Sequence, residues 1–130
     1  MENDFVTYEQ AVALQELGIY IQPPVYCCYQ KTPILFILPT AMTTFDIIAP
    51  LKSQVFRLFR EEYNILHALV VPIKITASDK EGYRYSWEII DEQEEWVSDE
   101  SLLGYYTYEE AENACIDKLI EIAKQQDNGK

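Results

Sequence analysis

The stretch 51–66, LKSQVFRLFREEYNIL, constrains this chain more than any other, because its apolar residues recur with the period of an α-helix. On a helical wheel Leu51, Val55, Phe56, Leu58, Phe59, Tyr63 and Leu66 fall in one broad arc. Ser53, Gln54, Arg57, Arg60, Glu61 and Asn64 lie opposite, and only Lys52 and Glu62 break the pattern. Pro50 suits the first helical position, where its missing N–H costs nothing. Two Phe and a Tyr on one face make the helix a core anchor, since each aromatic ring can bury ~150–250 Å². The segments on either side read as short strands that need such a helix to cover them.

Ahead of that helix, Thr7-Tyr8-Glu9-Gln10 has the composition of a capping box and opens a short helix that runs to Leu17 and stops at Gly18. Residues 25–30 and 34–38 are rich in β-branched and aromatic side chains and predict a hairpin around Lys31-Thr32-Pro33, closed by Pro39. Residues 40–49 show no period and read as a loop. After the central helix, 68–77 predicts a strand in which Pro72 indicates an edge position or a bulge. Residues 79–82 carry turn chemistry. Residues 83–90 alternate, with Tyr83, Tyr85, Trp87 and Ile89 on one face and Arg84, Ser86 and Glu88 on the other. Residues 91–101 form an acidic loop in which Trp96 and Val97 pair briefly on the sheet edge. A second capping box, Thr107-Tyr108-Glu109-Glu110, opens the longest helix, to about Gln126. Its buried arc comprises Ala111, Ala114, Cys115, Leu119 and Ile122, widened by Ile116, Ile120 and Ala123.

These elements predict a single α+β domain over residues 1–126, with 127–130 as a frayed tail. The expected architecture is an antiparallel sheet of about four strands in the order α-β-β-α-β-β-α, with helices packed mainly on one face. The phrases TYEQA (7–11) and TYEEA (107–111) are nearly identical. They fit either an αββ unit used twice and closed by a helix, or a good helix start found twice.

Charge is distributed unevenly. The chain carries a formal net charge of −12. Residues 19–76 hold five basic residues (Lys31, Lys52, Arg57, Arg60, Lys74) against three acids (Asp46, Glu61, Glu62). Residues 79–112 hold twelve acids against Lys80 and Arg84. That field argues against direct nucleic-acid binding, because phosphate affinity rests on Lys and Arg. It is compatible with a basic protein partner, or with nothing beyond solubility. The acidic start MENDFVTYEQ lacks the pattern of a signal peptide, and no apolar run approaches the ~20 residues of a membrane span. Three cysteines, with Cys27 and Cys28 adjacent, offer no paired framework and predict reduced thiols in the cytoplasm.

Catalytic motifs are missing. The single histidine, His67, rules out multi-His metal sites and reads as structural, and no nucleophile elbow, P-loop or dinucleotide fingerprint is present. The cluster Asp91, Glu92, Glu94, Glu95, Asp99 and Glu100 lies between or beside Trp87 and Trp96, with Tyr105 and Tyr106 following. Rings beside carboxylates can stack on sugars and catalyse glycosidic cleavage, and acids in number can hold Ca²⁺, although the spacing of an EF-hand is lacking. A solvated acidic loop or a protein-binding surface needs fewer assumptions.

The phrases TYEQAVALQELG, SQVFRLFREEYN, GYRYSW and TYEEAENACIDKLIEIAK resemble a group of small, uncharacterised proteins encoded by gut Bacteroidales and their phages. That group has no assigned activity, so the resemblance implies a setting and no site residues: an intracellular accessory protein of phage or mobile-element origin.

The expected function is therefore non-enzymatic, with no cofactor and no metal. The acidic, aromatic-rich half (79–108) would engage a basic protein, in one form by mimicking phosphate charge, through Trp87, Glu92, Glu94, Glu95, Trp96, Tyr105 and Tyr106. A second expectation is a small-ligand or carbohydrate-binding domain, or a weak hydrolase, around Trp87, Trp96 and the neighbouring carboxylates. A third is a homodimer formed by pairing of the Tyr/Trp strand with its copy.

Overall fold

A computed structural model describes residues 4–19, 26–29, 35–38, 47–63, 65–75, 82–91, 96–98 and 104–128. The chain is α+β, in the order α1 (Tyr8–Glu16), β1 (Tyr26–Tyr29), β2 (Leu35–Leu38), β3 (Ile47–Ile48), α2 (Lys52–Glu62), β4 (Ile65–Ile75), β5 (Gly82–Asp91), β6 (Trp96–Ser98) and α3 (Tyr108–Asn128). The strands form two antiparallel three-stranded sheets, β2-β1-β3 and β4-β5-β6, where one sheet of about four strands was expected. The additional strands are β3, of two residues, and β6, of three. β3 is too short for an alternation to be readable, whereas β6 is the brief edge pairing expected at Trp96 and Val97. The chain divides into two compact units, Met1–Arg57 with Leu119–Lys130, and Leu58–Lys118.

In the first unit, α1 is held by its sequence-encoded ends. Thr7 N–H donates to Gln10 Oε1 (3.0 Å) and Gln10 N–H donates to Thr7 Oγ1 (3.2 Å), the reciprocal bonds of a capping box. At the far end Gly18 adopts φ 76°. Ile19 N–H then donates to Leu14 O (2.9 Å) and Gly18 N–H to Gln15 O (2.9 Å). This pair of bonds is the Schellman motif, which needs a left-handed residue at its turn. Phe5 bridges to Leu51, and Val6 N–H donates to Pro50 O (3.1 Å), so the residues before α1 are tied to the start of α2. Phe5, Val6, Ala11, Leu14, Ala49 and Val55 are buried there, as are Leu119, Ile120 and Ala123 of α3.

The start and end of α2 depart from expectation. Pro50 precedes the helix, and Leu51 takes the capping position, its N–H donating to Gln54 Oε1 (2.9 Å). Gln54 thus supplies half of a capping box without a Ser or Thr partner. Lys52, the outlier of the apolar arc, is buried, while Glu62, the other outlier, is exposed. The helix ends at Glu62, four residues before the expected end, because Ile65 and Leu66 belong to β4.

In the second unit β5 is the middle strand. It pairs with β4 from Ile65↔Asp91 to Ile75↔Gly82, with a bulge between Ile65 and His67. On its other side it pairs with β6 through Glu88↔Ser98, Ile89↔Val97 and Ile90↔Trp96. Tyr85 also exchanges two hydrogen bonds with Tyr105 (2.8 and 2.7 Å). Gly104, at φ 65°, makes this approach possible: a Cβ there would lie 2.6 Å from Tyr85 O. Pro72 sits on β4 at the edge of this sheet, one of the two positions its ring allows. Phe59 is fully buried and its ring meets Tyr63 at 4.9 Å between centroids. Thr107 Oγ1 accepts from Glu110 N–H (3.1 Å) and donates to Glu110 Oε1 (3.1 Å), capping α3 through the hydroxyl on both counts.

The sheets are not copies of one motif. The first strand is central in β2-β1-β3, whereas the second strand is central in β4-β5-β6. The third strand joins the first strand of the hairpin in one sheet and the second strand in the other.

Cys115 of α3 is free and buried, and burial pushes its thiol from 9.0 up to about 12, with Glu112 adding to the shift. The unfolded chain ionises this thiol near pH 9 while the fold keeps it protonated. Stability is therefore unaffected by Cys115 below pH 9 and falls above it, by roughly 1.4 kcal/mol per pH unit at most. Denaturation midpoints measured on either side of pH 9 should show this loss, and Cys115→Val should remove that part of it.

Candidate interaction surface

The acidic, aromatic half of the sequence maps onto β5, β6 and the start of α3. Alternation along β5 sends Arg84 and Tyr85 to opposite faces of the sheet. The Arg84 guanidinium lies 4.2 Å from the centroid of the Tyr106 ring, within cation–π range. Tyr85 meets Tyr108 edge to face, at 6.0 Å and 81°. Both tyrosines are positioned by the main-chain bonds of Tyr105 to Tyr85, which anchor the segment leading into α3.

Large side chains that stay in water are few here. Tyr106 is 71% exposed, Tyr108 47% and Leu69 37%, the three exposed large hydrophobics of the described residues. Two of them lie two positions apart, immediately before the exposed acids Glu109 and Glu110. Partial burial raises the Tyr108 phenol above its ordinary range, with Glu112, Cys115 and Glu109 adding to it.

The expected site residues meet different fates. Tyr106 is exposed and Tyr105 half-buried. Trp87 is buried at 7% exposure, so its indole belongs to the core and offers a partner almost nothing to touch. Buried residues lie on both faces of β5: Ser86 and Ile90 on one, Trp87 and Ile89 on the other. Among the described residues the Trp87 Nε1–H has no hydrogen-bond acceptor. Trp96 lies in β6 opposite Ile90, out of phase with position 87. Glu92, Glu94 and Glu95, like Asp99 and Glu100, lie outside the described residues.

Arg84 and Tyr108 were not among the expected contact residues. The signal for Arg84 was its place on the polar face of β5; the signal for Tyr108 was its place at the first position of a capped helix, where side chains face water.

His67 Nε2 lies 3.6 Å from Glu88 Oε1, across the β4–β5 pair, an ion pair when the imidazole is protonated. Both side chains are about one-third exposed or less. The arrangement links two strands, and no nucleophile is placed beside it by any described contact. Among the described residues no group of three His, Cys, Asp or Glu side chains is arranged to hold a metal ion. None of the described helices is long and apolar enough to cross a membrane. No family model, curated protein or solved structure matches this chain.

Proposed function

We propose that this chain is a non-enzymatic intracellular accessory protein, of phage or mobile-element origin, that engages a basic protein through its acidic, aromatic surface (79–108) and the adjoining start of α3. The observation that carries this reading is Tyr106, most of its ring in water, followed by Tyr108, Glu109 and Glu110. Aromatic rings are favoured anchors of protein interfaces because they bury a large area at small entropic cost. The ring of Tyr106 already takes a guanidinium, that of Arg84, so its chemistry suits a partner rich in Arg and Lys. The net charge of −12 would accelerate encounter with such a partner and repel nucleic acid.

A small-ligand or carbohydrate site between Trp87 and Trp96 has less support. Trp87 is buried, and the register sets the two positions out of phase.

The test is capture of partners on the tagged protein from nuclease-treated lysate of its source cells, at low and moderate salt, beside a Glu92→Gln/Glu94→Gln/Glu95→Gln variant. A basic protein retained at low salt, lost at moderate salt and reduced by the variant supports the reading. Retention that neither salt nor the variant alters would remove it.

A further inference from the structure

The edge of the second sheet carries an interaction surface of its own. Tyr85 N–H donates to Tyr105 O and Tyr85 O accepts from Tyr105 N–H, so both main-chain groups of Tyr85 point away from β4. In an antiparallel ladder these groups alternate sides from one residue to the next. The β5 residues bonded to β4 are therefore Arg84, Ser86, Glu88 and Ile90, opposite Ile73, Val71, Leu69 and His67. Ala68, Val70, Pro72 and Lys74 turn their main-chain groups outward. No described hydrogen bond satisfies the outward N–H of Ala68, Val70 or Lys74.

The same phase explains Pro72. Its missing N–H falls on the outward side, so no ladder bond is lost. The proline also removes one donor from an otherwise continuous edge of eleven residues, which is how native sheets limit uncontrolled pairing.

We infer that the outer edge of β4 is a pairing surface for a second copy of this chain, antiparallel about Val70 across a two-fold axis. Charge favours this occupant and this direction. The segment ILHALVVPIKI contains no acid, in a chain of net charge −12, so no carboxylate of the strand opposes its copy. Lys74 stands near one end of β4, and the exposed Glu61 and Glu62 of α2 lie three to four residues before the other in sequence. Antiparallel pairing brings each Lys74 towards the acidic end of its partner, whereas parallel pairing would set Lys74 beside Lys74. The pairing also places Leu69 opposite Val71, covering the exposed Leu69 side chain with apolar surface. Val70 exchanges both bonds with its own copy. Pro72 accepts from Ala68 of the other copy and returns nothing, so the dimer is reversible. The Tyr/Trp strand expected to self-pair is β5, which is bonded on both sides and has no edge to offer.

Sedimentation equilibrium over a wide concentration range tests this, with two variants whose effects have opposite signs. Pro72→Ala restores an outward donor in each copy and should tighten the dimer roughly ten- to thirtyfold. Val70→Pro removes the central donor at a position that makes no ladder bond, and should weaken the dimer about tenfold or more while leaving the circular dichroism spectrum unchanged. Hydrogen exchange at Ala68, Val70 and Lys74 should slow as the wild-type concentration rises. A monomer at every concentration would overturn the inference. So would a dimer that both variants leave unchanged, or edge amides already protected in the monomer, which would mean that another segment or partner fills the edge.

Discussion

Phe59→Ala is expected to destabilise the protein by about 3–5 kcal/mol, a large share of the ~5–15 kcal/mol typical of a folded domain. The ring is fully buried and meets the Tyr63 ring at 4.9 Å and a tilt of 38°, so truncation removes apolar burial and leaves a cavity that a half-buried Tyr63 is poorly placed to fill. Phe56 provides the control. It shares the apolar arc of the sequence but is only half-buried, so Phe56→Ala should cost roughly half as much. Guanidinium denaturation of the two variants, followed by circular dichroism, checks this. Equal losses would mean that α2 buries its whole arc evenly, contrary to the observed burial.

Gly104→Ala is expected to cost about 2–4 kcal/mol, against about 1 kcal/mol for Gly18→Ala. Both glycines have positive φ, which any side chain resists. Their surroundings differ. A Cβ at Gly18 meets nothing within 4 Å, so only the backbone preference is lost. A Cβ at Gly104 would sit 2.6 Å from the carbonyl oxygen of Tyr85, a main-chain atom fixed in the middle strand. Relief of that clash requires Tyr105 to move off Tyr85, breaking both of their hydrogen bonds. The loss should be visible as faster exchange at the Tyr85 and Tyr105 amides, with β4–β5 pairing intact. Equal costs at the two glycines would contradict the close approach.

What the sequence made legible was local chemistry. The capping box at Thr7, the hydroxyl cap at Thr107, the stop at Gly18 and the alternation of β5 depend on nearby residues, and each is present in the fold; at Thr107 the Glu110 carboxylate meets the threonine hydroxyl instead of completing the expected box. The end of α2 was misplaced because Leu66 continues the helical phase of Val55 and Phe59, and periodicity cannot separate a last helical turn from the first residues of an apolar strand. Trp87 shows a different limit. Its place on an alternating apolar face was correct, but alternation does not reveal that residues on both faces of β5 are buried, Ser86 and Ile90 as well as Trp87 and Ile89. The ladder phase of β4 depends on a bond between Tyr85 and Tyr105, twenty positions apart, which no periodicity encodes. Tyr106 was identified from composition alone, and Arg84, which stacks on it, was read only as a polar-face residue.

The surface reading is tested most directly by titrating a captured basic partner into the wild type and into Tyr106→Ala across a salt series. The ring is mostly in water and its described contact is the Arg84 guanidinium, so the variant should lose only about 0.5–1 kcal/mol of stability. The account predicts affinity that falls steeply with salt, and a loss of roughly tenfold or more for Tyr106→Ala at every salt concentration. Affinity that is flat with salt and unchanged by Tyr106→Ala would contradict it.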